Sequence, residues 1–150
     1  MAAVRPLEMK LLLLSADGAE PSFDAAKSLL SHMAVPYEAV VLRNQPLPAL
    51  SANGQGKYQG VILSTGSLSY FNGSAWVSAL SATDWTTLEA YMRDYNVRLA
   101  SLYTFPEPRY GIRLSGSSGI AAPEAGISMA FATASSTVFP YLNRTNPLKV

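Results

Sequence analysis

Cysteine is absent from this chain of 150 residues. That absence excludes disulfides, thiolate nucleophiles and cysteine-based zinc sites. Charge is scarce: 14% of residues carry one, and the net charge is +1. A nucleic-acid binder would show a basic stripe to track phosphates, and none is present. Histidine occurs once, at His32. A zinc site takes about three or four protein ligands, so His32 reads as a helix residue and no metal is expected. No apolar run approaches the roughly 20 residues that span a bilayer. The run Leu11 to Leu14 is also too short for the core of a signal peptide. No Walker or G-x-G-x-x-G fingerprint is present, so no nucleotide or other cofactor is expected.

What remains is a globular composition, 49% hydrophobic. Its polar surface is left mostly to Ser, Thr, Asn, Gly and Tyr, which make hydrogen bonds rather than ion pairs. The length fits one domain, with Met1 to Glu8 as a leader without structure, a core over 9–110 and a β extension over 111–150. The tail from Asn143 to Val150 shows no closing element, so the chain reads as a domain excised from a longer protein.

The stretch from Tyr58 to Gly111 organises the rest. Val61, Ile62 and Leu63 form a solid apolar run inside a strand over Tyr58–Thr65, as expected of a strand covered on both faces. A helix over Asp84–Tyr95 places Trp85, Leu88, Met92 and Tyr95 on one face, with Ser81 or Thr83 as its N-cap. A further strand, Val97–Tyr103, is stopped by Pro106 and Pro108. Upstream, Met9–Ser15 (MKLLLLS) and Tyr37–Leu42 (YEAVVL) are strands. Between them a helix from Pro21 to Met33 turns Phe23, Ala26, Leu29, Leu30 and Met33 to the core. Arg43 to Lys57 is a loop broken by Pro46, Pro48, Asn53-Gly54 and Gly56. In the tail, Ile127, Met129 and Phe131 alternate as in a half-buried strand, and Val138-Phe139 with Tyr141-Leu142 reads as a second. The expectation is an open, mostly parallel doubly wound α/β sheet of order 2-1-3-4, flavodoxin- or amidotransferase-like, with an antiparallel β extension at the carboxyl end.

In that topology a site lies beyond the carboxyl ends of the strands, at the switch between the first and third. Asp17 and Ser64 flank that crevice, although Asp17-Gly18 is also ordinary turn chemistry. Ser64-Thr65-Gly66 lacks both the G-x-S-x-G elbow and a placed histidine, so a serine hydrolase is the weakest alternative. The strongest signal outside the core is aromatic. Tyr70, Phe71 and Trp76 flank Asn72-Gly73-Ser74, and Tyr103, Phe105, Arg109 and Tyr110 follow the last core strand. Rings beside hydrogen-bonding groups suit sugars, whose C–H faces pack on aromatic planes. The same rings could instead seal their loops against the sheet. The candidate carbohydrate contacts are therefore Asp17, Ser64, Tyr70, Phe71, Trp76, Tyr103, Arg109 and Tyr110. Asn72-Gly73-Ser74 and Asn143-Arg144-Thr145 are also glycosylation sequons.

Three segments carry a family resemblance: KLLLLSADGAEPSFDAAKSLLSHMAVPYEAVVL, YQGVILSTGSLSY and SALSATDWTTLEAYMRDYNVRLASLYTFPEPRYG. Together, over roughly Lys10 to Gly111, the chain resembles the N-terminal region of secreted polysaccharide deacetylases of the galactosaminogalactan deacetylase type, fungal and bacterial. The resemblance implies a non-catalytic carbohydrate-binding module. Its partners would be a galactosamine-containing polysaccharide and a downstream deacetylase domain, in an extracellular or cell-surface setting. The family's metal-binding Asp and two His belong to that later domain and have no counterpart here. At the level of fold the chain also resembles class I glutamine amidotransferase-like domains. Without a cysteine it would be a non-catalytic copy, and the alternative function is docking against a catalytic domain without binding sugar.

Overall fold

The computed structural model describes residues 5–111 and the strands Ser128–Met129 and Leu148–Lys149. Two compact units divide the chain, Met1–Phe105 and Pro106–Val150.

In the first unit, β1 (Leu11–Ser15), β2 (Tyr37–Val41), β5 (Gly60–Leu63) and β8 (Arg98–Ser101) form a parallel sheet of order β2-β1-β5-β8. This is the expected 2-1-3-4 order. Helices α1 (Pro21–His32) and α2 (Ala82–Tyr95) cover its two faces. Alternation along β1 assigns its leucines to opposite sides: Leu12 and Leu14 join the cluster under α2, with Val61, Leu63, Trp85, Leu88 and Tyr91. Leu13 instead packs with Phe23, Ala26 and Leu30 of α1. The solid apolar run is thus explained, because neither face of β1 meets water.

Two helix faces differ from expectation. Leu29 and Met33 are 58% and 60% exposed. Phe23, Ala26 and Leu30 define the α1 stripe; Leu29 lies on its rim, and Met33 lies past the last turn as the C-cap. On α2 the third fully buried residue is Tyr91, while Met92 and Tyr95 are only half-buried. Tyr91 takes that place because its hydroxyl donates to the Tyr58 carbonyl at 2.6 Å and accepts from the Tyr58 N–H at 3.0 Å. One phenol therefore satisfies both backbone groups of the residue that leads into β5.

The interval expected to be loop before β5 holds a small hairpin. β3 (Ser51–Ala52) and β4 (Gln55–Gly56) pair antiparallel across Asn53-Gly54, both at positive φ, the backbone of a type I′ turn. The leader is also partly ordered. Leu7 bridges Gly56 in parallel, and the Gly56 N–H donates to the Pro6 carbonyl. Gly56 is required there, since a Cβ would come within 2.5 Å of Leu7 and 2.8 Å of the Tyr91 hydroxyl. A second hairpin, β6 (Ser69–Phe71) with β7 (Trp76–Ser78), occupies the segment expected as an aromatic loop.

In the second unit a short 3₁₀ turn, Pro108–Tyr110, is followed by β9 (Ser128–Met129) paired antiparallel with β10 (Leu148–Lys149). The tail thus carries antiparallel β as expected, but β10 falls in the stretch from Asn143 to Val150 that reads in sequence as having no closing element. The expected strand at Val138–Leu142 lies outside the described residues.

Helix α2 begins with a capping box. Ser81 Oγ accepts from the Asp84 N–H at 3.1 Å, and Asp84 Oδ2 accepts from the Ser81 N–H at 3.0 Å. Replacing Ser81 with Ala is expected to cost about 1 kcal/mol of stability, measured by urea unfolding. An Asp84→Ala variant should cost a similar amount, and the double variant less than the sum, because the two bonds form one unit.

Candidate functional site

The carboxyl edge of the sheet holds a polar knot between β1 and β5, then an aromatic hairpin. After Ser15 the chain turns through Asp17-Gly18, where Gly18 has φ +85°. Asp17 Oδ1 accepts from the Ala19 N–H at 3.0 Å, a local turn bond of the kind Asp commonly makes. Glu20 then reaches back under the turn. Its carboxylate accepts from the Ser15 hydroxyl, from the Ala16 N–H at 2.8 Å and from the Ser64 hydroxyl at 2.9 Å. Ser15 Oγ in turn accepts from the Gly18 N–H at 2.7 Å. Ser15 and Ser64 are both fully buried. Ser22 Oγ closes the knot by donating to the Ser64 carbonyl at 2.9 Å.

Glu20 thus occupies the topological switch point, and the sequence reading missed it. Burial alone would raise its pKa, but the bonds from Ser15, Ala16, its own N–H and Ser64 outweigh burial and hold it below the ordinary value near 4.5. An ionised carboxylate held this way is a poor general base, and Ser64 beneath it is closed to solvent. The signal for Glu20 was its place in the first βα turn, directly before the helix-starting Pro21. Nearby, the Thr65 hydroxyl is buried and has no hydrogen-bond partner among the described residues.

The β6–β7 hairpin stands on the same edge. Pleating sends alternate side chains to opposite faces. Tyr70, opposite Val77, packs against the core, and the Arg43 guanidinium lies 5.2 Å from its ring centroid. Phe71 and Trp76 are paired on the other face, with ring centroids 5.9 Å apart and planes at 56°. They are 50% and 73% exposed. Asn72 holds the tip: its Oδ1 accepts from the Ser74 N–H, the Ser74 hydroxyl and the Ala75 N–H, at 2.9 to 3.0 Å. The base is tied down by Ser78 Oγ donating to the Ser67 carbonyl at 3.0 Å and by the Ala79 N–H donating to the Leu68 carbonyl at 2.8 Å. The result is a fixed support for two solvent-facing rings.

Beyond β8, Leu102, Tyr103 and Phe105 are 51%, 63% and 51% exposed. The Tyr103 carbonyl accepts from the Gly66 N–H at 2.6 Å, which ties this segment to the turn after β5. The structure therefore brings Asp17, Ser64, Tyr70, Phe71, Trp76 and Tyr103 to one edge of the first unit, but presents them differently. Ser64 is covered and Tyr70 faces inward, while Phe71, Trp76 and Tyr103 face water. Arg109 and Tyr110 lie in the 3₁₀ turn of the second unit, where Arg109 Nε is 3.9 Å from Glu107 Oε2. Among the described residues no three His, Asp or Glu side chains gather to hold a metal.

The depressed pKa of Glu20 has a defined consequence. Its contribution to stability is complete above the unfolded value near 4.5 and is lost as pH falls through the lower folded value. Thermal midpoints of the wild type should therefore fall as pH drops below about 4.5. In Glu20→Gln the midpoint should be lower at neutral pH and should fall less in acid. Thr65→Val should be neutral or stabilising by up to about 1 kcal/mol in urea unfolding, since it removes a buried hydroxyl with no hydrogen-bond partner among the described residues.

No curated protein sequence matches the chain. The crystal structure described as "Agd3 a novel carbohydrate deacetylase" superimposes with a TM-score of 0.66 at 23% identity, over 95% of this chain and 22% of that one. The chain thus spans about a fifth of that protein's length. The profile of the Agd3 CBM87 family matches residues 7–146, nearly the whole sequence. The chain belongs to the Agd3 CBM87 family of carbohydrate-binding modules.

Proposed function

We propose that this domain is a non-catalytic polysaccharide-binding module, whose principal contact is the outward face of the β6–β7 hairpin. One observation carries the proposal: Phe71 and Trp76 stand exposed as a pair on a hairpin fixed at both tip and base. Ordering loose aromatic side chains on binding would cost entropy, and a preset pair avoids much of that cost. A sugar ring would lie against these rings through its C–H face. Tyr103 would extend the surface along the same edge, and Tyr70 would support the hairpin from behind. Asp17 would accept from sugar hydroxyls at the turn after β1. Ser64 would act only through the knot that fixes the edge. Arg109 and Tyr110 are further candidate contacts carried by the second unit.

Family membership supports a glycan as the ligand. By analogy with the carbohydrate deacetylase it resembles, the domain would serve as the accessory part of an extracellular deacetylase and hold it on its polymer. A galactosamine-containing polysaccharide is the specific ligand we propose. With few ionic groups at the contact, binding should be nearly independent of salt.

Titration of galactosamine-containing oligosaccharides against wild type and Trp76→Ala tests this reading. Loss of one stacking ring is expected to cost about 1 kcal/mol or more, roughly fivefold in affinity. The fold should be unchanged by circular dichroism, since Trp76 is 73% exposed. Equal affinity in both proteins would place the site elsewhere. Absence of binding by either folded protein would favour a docking domain that touches no sugar.

A further inference from the structure

A groove opens at the other end of the sheet. Its volume is about 290 Å³, at the small end for ligand pockets. It is lined by Arg5, Ser51, Thr87, Tyr91, Asp94 and Tyr95 among others. Three separate pieces of chain meet there: the segment before β1, the stretch entering the β3–β4 hairpin, and α2 from Thr87 to its end. Gly56 makes that meeting possible, because Leu7, Tyr91 and Tyr95 occupy the space that a Cβ there would take.

The groove wall is preset. Tyr95 packs on Tyr91 with ring centroids 4.9 Å apart, and the Arg5 guanidinium lies over the Tyr95 ring at 5.2 Å. Stacking uses the flat face of the guanidinium and leaves its edge N–H groups available. Tyr91 is itself held by both backbone groups of Tyr58. Asp94 engages Arg93 through Oδ1 at 3.2 Å, and a carboxylate has further acceptor sites to spare.

Arg5 can only donate hydrogen bonds and Asp94 can only accept them. A free anion would be opposed by Asp94, and a free cation by Arg5. A pair of neighbouring hydroxyls satisfies both at once, since each hydroxyl donates and accepts. Ser51 and Thr87 add hydroxyl partners, and the tyrosine rings add apolar surface for a C–H face. We propose that this groove is a second carbohydrate site, taking one sugar ring through vicinal hydroxyls, and that the domain is bivalent for its polymer. The ligand class rests on the reading of the domain as a glycan binder, but the groove does not depend on the hairpin being the other site.

Helix α2 sets the spacing. Its amino end meets the hairpin, where Trp85 Nε1 donates to Ser78 Oγ at 3.4 Å, and its last turns line the groove. Its 14 residues span about 21 Å. Two weak contacts held apart on one rigid helix would hold a long chain far more tightly than a short one.

The test is NMR titration of the 150-residue chain with galactosamine and N-acetylgalactosamine oligosaccharides, alongside pull-down by the corresponding polymer. Amide shifts are expected in two groups, one around Phe71 to Trp76 and one around Ser51, Thr87 and Asp94. Asp94→Ala and Arg5→Ala, both at exposed positions, should abolish the second group and leave the first. Each should weaken polymer binding on the order of tenfold, while barely changing short-oligosaccharide binding at the hairpin. Groove shifts that persist in Trp76→Ala, with hairpin shifts absent from the wild type, would refute the hairpin and uphold the groove. Shifts confined to the hairpin, or polymer binding unchanged by Asp94→Ala, would overturn the second site. Lack of groove shifts with every one of these probes would overturn it as well.

Discussion

Burial of β1 on both faces is the constraint from which the rest of the first unit follows. Leu12, Leu13 and Leu14 are all fully enclosed, so the strand needs a helix on each side and a strand at each edge. One helix before β2 and one before β8 supply the cover. Right-handed crossovers then allow little choice in strand order. The two faces are unequal: α1 contributes a small cluster around Leu13, and α2 a larger one that extends to the second hairpin through Leu68 and Leu80. The α2 side therefore carries more of the packing energy. Both projecting features, the hairpin and the groove, are built on that side.

A strand this apolar leaves a problem where it ends, because the turn that follows exposes backbone groups next to a dry core. Glu20 solves it locally. One carboxylate gathers two buried hydroxyls and a backbone N–H from the ends of β1 and β5. In many open α/β sheets the switch point is a crevice that admits a ligand. Here a side chain of the protein fills it. A ligand site at this edge would have to lie outward from that point, on the edge loops, and this edge carries an aromatic hairpin.

Much of the frame was legible from residue pattern. Solid apolar runs gave β1 and β5, and the order of the four parallel strands followed from crossover rules. The i, i+3 spacing of Trp85 and Leu88 gave α2, and the Ser81 cap was one of two offered. The misreadings have separate physical causes. Tyr91 displaced Met92 and Tyr95 from the buried stripe because its hydroxyl had two backbone groups to satisfy. Leu29 and Met33 have the right composition for a core but sit at the rim and the end of α1. Asn53-Gly54 was read as a loop breaker and Tyr70 to Trp76 as an aromatic loop, yet each forms a short hairpin, whose strands of two or three residues are too brief to show alternation. Of the candidate site, the rings at 71 and 76 were visible in sequence by their polar neighbours. Their face was not, since it depends on hairpin register: one residue of slip would expose Tyr70 and bury Phe71.

Register also explains how a small module can display aromatic surface without losing its fold. An exposed Trp on a free loop would tend to collapse onto the nearest apolar surface. On a paired strand its direction is fixed by the pleat, and the opposite face is occupied by Tyr70, already packed on the core and covered by Arg43. Turning Trp76 inward would require turning Tyr70 outward, out of its contact with the core and away from the Arg43 stack. The inward side of the hairpin thus keeps the outward rings in water. Aromatic display and stability are coupled through a single alternation of side chains.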